Sequence, residues 1–157
     1  MTSPDQWDLV TGPNKVTAVH SPDDDGTSYI RASDTGYIQR YSLDTPGIPP
    51  SSTINSVSVR SRDNCAGTNG GYRQGLALGG NTTESADIIP PGGYVWTDTI
   101  NALARPGGGS WTLLNLTSLE VYIKCTSSAA WTNVTSLWII VDYTEAAPTT
   151  GDMLLLF

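Results

Sequence analysis

The chain has 157 residues, a formal net charge of −7 and a pI of about 4.3. Only 15% of it is charged, against about 25% in ordinary soluble domains; Asp outnumbers Glu 12 to 3, and 2 Lys stand beside 20 Thr, 16 Ser, 16 Gly and 10 Pro. That length predicts one domain with a core of its own, and the shortage of Glu, Lys and Gln excludes a helical bundle or coiled coil and disfavours a nucleotide-binding α/β fold.

In chain order, residues 1–27 read as an irregular arm, broken by Pro4, Pro13 and Pro22, with Pro22-Asp23-Asp24-Asp25-Gly26 as a turn. Strand signals begin at 28–32 and 36–43. The run 53–62 alternates: Val57, Val59 and Ser61 share one face, Ser58, Arg60 and Arg62 the other. Residues 72–78 alternate again, with Leu76 and Leu78 on one face, whereas 79–93 is polar and turn-rich. A short strand is predicted at 94–100, and a helical turn fits near 116–118. The clearest strand is 119–125, with Leu119, Val121, Ile123 and Cys125 facing inward. The last, 134–143, turns Leu137, Ile139, Val141 and Tyr143 inward but carries Trp138 and Ile140 on its other face. A strand apolar on both faces is central or covered by a loop or another subunit.

Seven or eight short strands with turns between them predict an all-β fold, an antiparallel β-sandwich of jelly-roll type over 28–143. No internal repeat is visible. Residues 144–157 read as a linker followed by the apolar tail Met153, Leu154, Leu155, Leu156 and Phe157. An apolar tip on a linker either docks on another chain or folds back on its own sandwich. Trp7, Leu9 and Val10 in the N-terminal arm raise the same question, so these eight residues are the expected partner interface.

The chemistry-bearing residues are sparse. The six Arg and two Lys are scattered along an acidic chain, which is no nucleic-acid footprint. The start of the chain has no basic segment followed by an apolar one, and the longest internal apolar run, 137–141, is far below the roughly 20 residues of a membrane span. Cys65 and Cys125 lack the spacing and companions of a zinc site and read as two small thiols or one disulfide. His20 stands without a nucleophile motif, so no hydrolytic triad can be built, and no enzyme activity, cofactor or metal is expected. Asp23-Asp24-Asp25 reads as a turn before it reads as a calcium loop, because its spacing departs from the alternating EF-hand pattern. The sequons at Asn81, Asn115 and Asn133 are expected by chance in so Thr- and Asn-rich a chain. Of the five Trp, Trp111 and Trp131 lie near loops and are the pair a sugar-stacking reading selects; the competing reading makes them core or interface aromatics.

The segments 22–30, 54–62, 111–112, 119–124 and 134–138 leading to Val141-Asp142-Tyr143, taken in order and spacing, resemble a diffuse family of tailed-bacteriophage virion proteins built on β-sandwich modules. The resemblance covers about residues 20–143 and carries no active site. It implies a capsid decoration (cement) protein, made in the host cytoplasm and bound to the major capsid protein on the virion surface, a homo-oligomer with a trimer favoured. The alternative it implies is a tail or adsorption component with a carbohydrate-binding face.

Overall fold

The computed structural model describes residues 6–11, 28–43, 47–67, 69–127 and 129–146. Among these residues nine strands and one helical turn follow one another: β1 (Asp8–Thr11), β2 (Tyr29–Ala32), β3 (Ile38–Ser42), β4 (Thr53–Cys65), β5 (Tyr72–Leu78), β6 (Asn81–Glu84), β7 (Thr97–Ala102), α1 (Leu113–Leu116), β8 (Glu120–Cys125) and β9 (Thr132–Thr144). They form a five-stranded sheet, β1-β2-β9-β4-β7, and a four-stranded sheet, β3-β8-β5-β6. All ladders are antiparallel.

The order has a simple logic. The pairs β2·β9, β3·β8, β4·β7 and β5·β6 are successive rungs of one long folded-back ribbon, and they fall alternately in the first and second sheet. Wrapping such a ribbon around a core generates the jelly roll, with β4·β9 and β5·β8 as the seams. The expected β-sandwich of jelly-roll type is therefore the fold, and β1 extends it at one edge.

The inward faces are those the alternation predicts. Val57 and Val59 from β4 and Ile30 from β2 meet Leu76, Val121 and Ile123 from the opposite sheet, all buried in one cluster. Each such side chain is worth about 1.5–3 kcal/mol relative to exposure. Two bulges keep long strands in phase with this core. Thr135 is the extra residue where Arg62 pairs Ser136 and Asp63 pairs Val134, so Val134 and Leu137, three apart, both face inward. Asn55 does the same between Ile54 and Val57. The capping box of Thr112 and Asn115 explains the single helical turn: each side chain accepts from the other's backbone N–H.

Four expectations change. Residues 8–11, inside the stretch expected to be irregular, form β1, because Leu9 finds core to cover. β6 lies within the polar stretch 79–93: it is an edge strand that pairs only with β5, so backbone bonds rather than apolar burial define it. The strand expected at 94–100 sits at 97–102, since the ladder to Ser58–Asp63 sets its register. Trp7, expected in a partner interface, is 0% exposed and belongs to the core, its Nε1–H donating to the Tyr37 carbonyl at 3.1 Å. Leu9 packs half-buried against that core and Val10 is half-buried. Met153, Leu154, Leu155, Leu156 and Phe157 lie outside the described residues, as do His20 and Asp23–Asp25.

One position shows how tightly the outer faces are also packed. Tyr122 alternates outward on β8, yet it is buried because its ring lies flat across Gly75 of β5. A Cβ at Gly75 would run into the Tyr122 ring. Gly75→Ala is expected to lower stability by about 1–3 kcal/mol, read as a fall in the urea midpoint. An unchanged midpoint would mean that the ring moves aside freely.

Candidate functional site

The two outer faces differ in kind. On the four-stranded sheet the charges form a closed lattice. Arg40 pairs Glu120 at 3.2 Å, Arg73 pairs Glu84 at 3.1 Å and Asp87 at 2.6 Å, and Lys124 pairs Glu84 at 3.1 Å. The Tyr122 hydroxyl also donates to Glu84, at 3.1 Å. Burial pushes the Glu84 carboxyl up, but its hydrogen bonds to Lys124, Arg73 and Tyr122 bring it below the usual range. Apart from the buried Arg40 Nε–H, which is unmet, the charged donors and acceptors there satisfy one another and leave little for a ligand.

The five-stranded sheet presents rings and arginines instead. On β2, Arg31 points outward between its register partners Asp8 on β1 and Asn133 on β9. Its guanidinium carbon lies 4.2 Å from the centroid of Trp131, the residue just before β9. The indole remains 37% exposed. The Tyr29 ring, two residues before Arg31, meets Trp96 edge-on with centroids 6.0 Å apart. Trp96 immediately precedes β7, three strands away from β2, so the two rings meet above the middle of the sheet. Asn133 donates to Asn64 Oδ1 at 2.6 Å, and both side chains are buried although they alternate outward. Further along, Arg60 covers Trp138 at 4.8 Å and pairs Asp98 at 2.6 Å, with the exposed Ile100 and Ile140 as neighbours.

The structure therefore separates the two tryptophans chosen from the sequence. Trp131 stands on the surface; Trp111 packs half-buried against the core. Tyr29 and Trp96 were not singled out, because their approach depends on sheet order and not on spacing in the chain. Trp138 and Ile140 do lie on the outer face of a central strand, the first of the alternatives that the doubly apolar pattern of 134–143 offered. Cys65 and Cys125 are both buried free thiols; burial pushes the Cys125 thiol up, and its Sγ–H donates to the Ser127 carbonyl.

Between the sheets lies a buried polar cluster that sequence reading did not find. The Tyr72 hydroxyl donates to Asp63 Oδ2 at 2.6 Å and Ser61 donates to the same oxygen at 3.3 Å. Gln74 donates to Ser61 at 2.7 Å and to the Thr99 carbonyl at 2.9 Å, and Asn101 donates to Gln74 at 2.8 Å. Asp63 Oδ1 is buried with no partner. Burial pushes the Asp63 carboxyl up to about 6, against the hydrogen bonds from Tyr72, Thr99 and Ser61 that pull it down. Apart from Asp63 Oδ1 the cluster's hydrogen bonds run between its own members inside the sandwich, away from the outer faces, so its role is structural. Among the described residues no group of three or more His, Cys, Asp or Glu is placed to hold a metal ion, and no helix is long and apolar enough to cross a membrane.

No family model matches the chain, and no curated protein matches it. Among solved structures the chain is similar to the carbohydrate-binding module TmCBM61 in complex with β-1,4-galactotriose, at 10% identity and a TM-score of 0.46, over 87% of this chain and 83% of that one. It is also similar to a carbohydrate-binding module of the CBM4 type, at 13% identity and a TM-score of 0.42, over 90% of this chain and 96% of that one. Likenesses of this size carry no argument about function; the jelly roll rests on the strand order itself.

Proposed function

We propose that the protein is a non-catalytic binding module that recognises glycans on the outer face of its five-stranded sheet. The observation that carries this reading is the exposed Trp131 indole, held in place by the guanidinium of Arg31. A pyranose ring offers one face of C–H groups and a rim of hydroxyls. An indole anchored by a neighbour meets the C–H face at little cost in side-chain entropy, and the polar groups around it meet the rim. Tyr29 and Trp96 add a second pair of rings on the same face.

The test is a glycan array followed by calorimetry with the best oligosaccharide. Trp131→Ala is expected to weaken binding at least tenfold, about 1.4 kcal/mol, with an unchanged melting temperature because Trp131 lies at the surface. An array with no bound glycan would remove the reading.

Of the two roles implied by the sequence resemblance, the adsorption component with a carbohydrate-binding face is the one this reading adopts. The decoration role, with the major capsid protein as partner and a trimeric assembly on the virion surface, rests on the tail Met153–Phe157, outside the described residues. No contact among the described residues speaks for it.

A further inference from the structure

We infer that the glycan is acidic, and that Arg31 is the residue that reads its negative group. This rests on the glycan-binding reading and names the class of sugar. The observation is a mismatch among the arginines. Arg40 is paired to Glu120, Arg60 and Arg62 to Asp98, and Arg73 to Glu84 and Asp87. Arg105 donates to Asn115 Oδ1 and to the Gly108 carbonyl. Among the described residues Arg31 alone has no oxygen acceptor: its partner is the Trp131 ring, and its buried Nε–H is unmet, as are those of Arg40 and Arg60, whose other guanidinium nitrogens are paired.

A guanidinium held 4.2 Å over an indole is oriented but not neutralised. Its planar fork matches a carboxylate or a sulfate with two parallel hydrogen bonds. The ring beneath it belongs to the proposed sugar platform, so a saccharide seated on Trp131 brings its substituents to the guanidinium. A hexuronic acid, with its carboxylate at C5, and a sulfate ester on a hexose share the required chemistry. Two charges weigh against an acidic ligand and neither decides the matter. Asp8 lies opposite Arg31 in register but forms no ion pair with it; even a formed surface pair is worth only about 0–1 kcal/mol. The net charge of −7 is spread over the chain and is screened beyond about 8 Å at physiological ionic strength.

The experiment is calorimetry of the full chain with three size-matched oligosaccharides: neutral, uronate-bearing and sulfated. The wild type is expected to bind at least one acidic form about tenfold more tightly than the neutral form, and 0.5 M NaCl is expected to erase most of that preference. The uronate and sulfate arms identify which anion is read. Arg31→Gln is expected to bring the acidic-to-neutral ratio near one, with Arg31→Lys retaining part of it. Should Arg31→Gln fail to fold, the wild-type ratio and its salt dependence still decide. Equal binding of neutral and acidic sugars overturns the inference and leaves the glycan reading standing. Binding of no sugar at all overturns both. Polyglutamate bound as tightly as the acidic glycan also overturns it, since the site would then read an acidic peptide.

Discussion

Replacing Trp7 by Ala is expected to cost about 3–5 kcal/mol of folding stability, the range for deleting a buried large aromatic. For a chain of this length that is a fall of roughly 6–20 °C in melting temperature. The size follows from where Trp7 sits. Its neighbour Gln6 is tied to β3 of the four-stranded sheet, through Gln6 N–H to the Ile38 carbonyl at 3.2 Å and Ile38 N–H to Gln6 Oε1 at 3.0 Å. One residue after Trp7 the chain enters β1 of the other sheet. Trp7 therefore closes the sandwich where the two sheets part, fully buried, with its only polar atom satisfied by the Tyr37 carbonyl. Truncation leaves a cavity, while the Tyr37 carbonyl keeps its other donor, the Cys125 N–H at 2.8 Å. If Trp7 were a docking residue, Trp7→Ala would leave the isolated protein's melting temperature unchanged. Thermal unfolding by circular dichroism separates the two.

The second large effect is on pH dependence. Asp63 titrates at about 6 in the folded protein, against 3.8 for an unperturbed Asp. A carboxyl with a raised folded-state pKa holds its proton more tightly when folded. Its contribution to stability is therefore full below pH 3.8 and is lost as the pH rises through about 6. A shift of about two units corresponds to about 3 kcal/mol. Glu84 and Asp87 work the other way. Lys124, Arg73 and Tyr122 lower the first against its burial, and Arg73 lowers the second, so both lose stabilisation as the pH falls below the ordinary carboxylate range. The stability curve is thus expected to climb as the pH falls from 8 through about 6 to a maximum in the ordinary carboxylate range, about pH 4–5, and then fall. Asp63→Asn is expected to flatten the limb between pH 8 and pH 5, whatever it does to absolute stability by placing an amide at the unpartnered oxygen. Urea unfolding at four pH values measures both curves. A wild-type curve flat between pH 5 and 8 would show that Asp63 is solvated and not enclosed.

Much of the fold was legible because burial writes itself into alternation. β5 and β8 each turn one regularly spaced face to the core, and their sequence bounds coincide with, or fall within one residue of, the observed ones. β1 and β6 were not legible. One is four residues among prolines, the other four polar residues on an edge, and neither carries enough apolar alternation to show a period. The phase change at Thr135 also hides in the sequence: a bulge makes Val134 and Leu137 face the same way, and period-two reading stops there.

The candidate site divides in the same manner. Loop position selected Trp111 and Trp131 alike and did not tell the half-buried one from the surface one, whereas the outward face of Trp138 followed from strand parity. The pairing of Trp131 with Arg31, of Tyr29 with Trp96, and of Asp63 with Tyr72 was not readable. Arg31 and Trp131 are a hundred residues apart in the chain and become neighbours only because the first strand of the folded ribbon pairs with its last. By itself, then, the sequence determined the all-β class, the inward faces of the main strands and the shortage of catalytic side chains, all of which depend on residue type and local period. The tertiary structure alone decided that Trp7 is core, that Asp63 is enclosed and that Arg31 lies over an indole, with no oxygen acceptor among the described residues. Those outcomes depend on which strands become neighbours, and antiparallel ladders between distant segments are chosen by the packing of the whole core, not by any local stretch of chain.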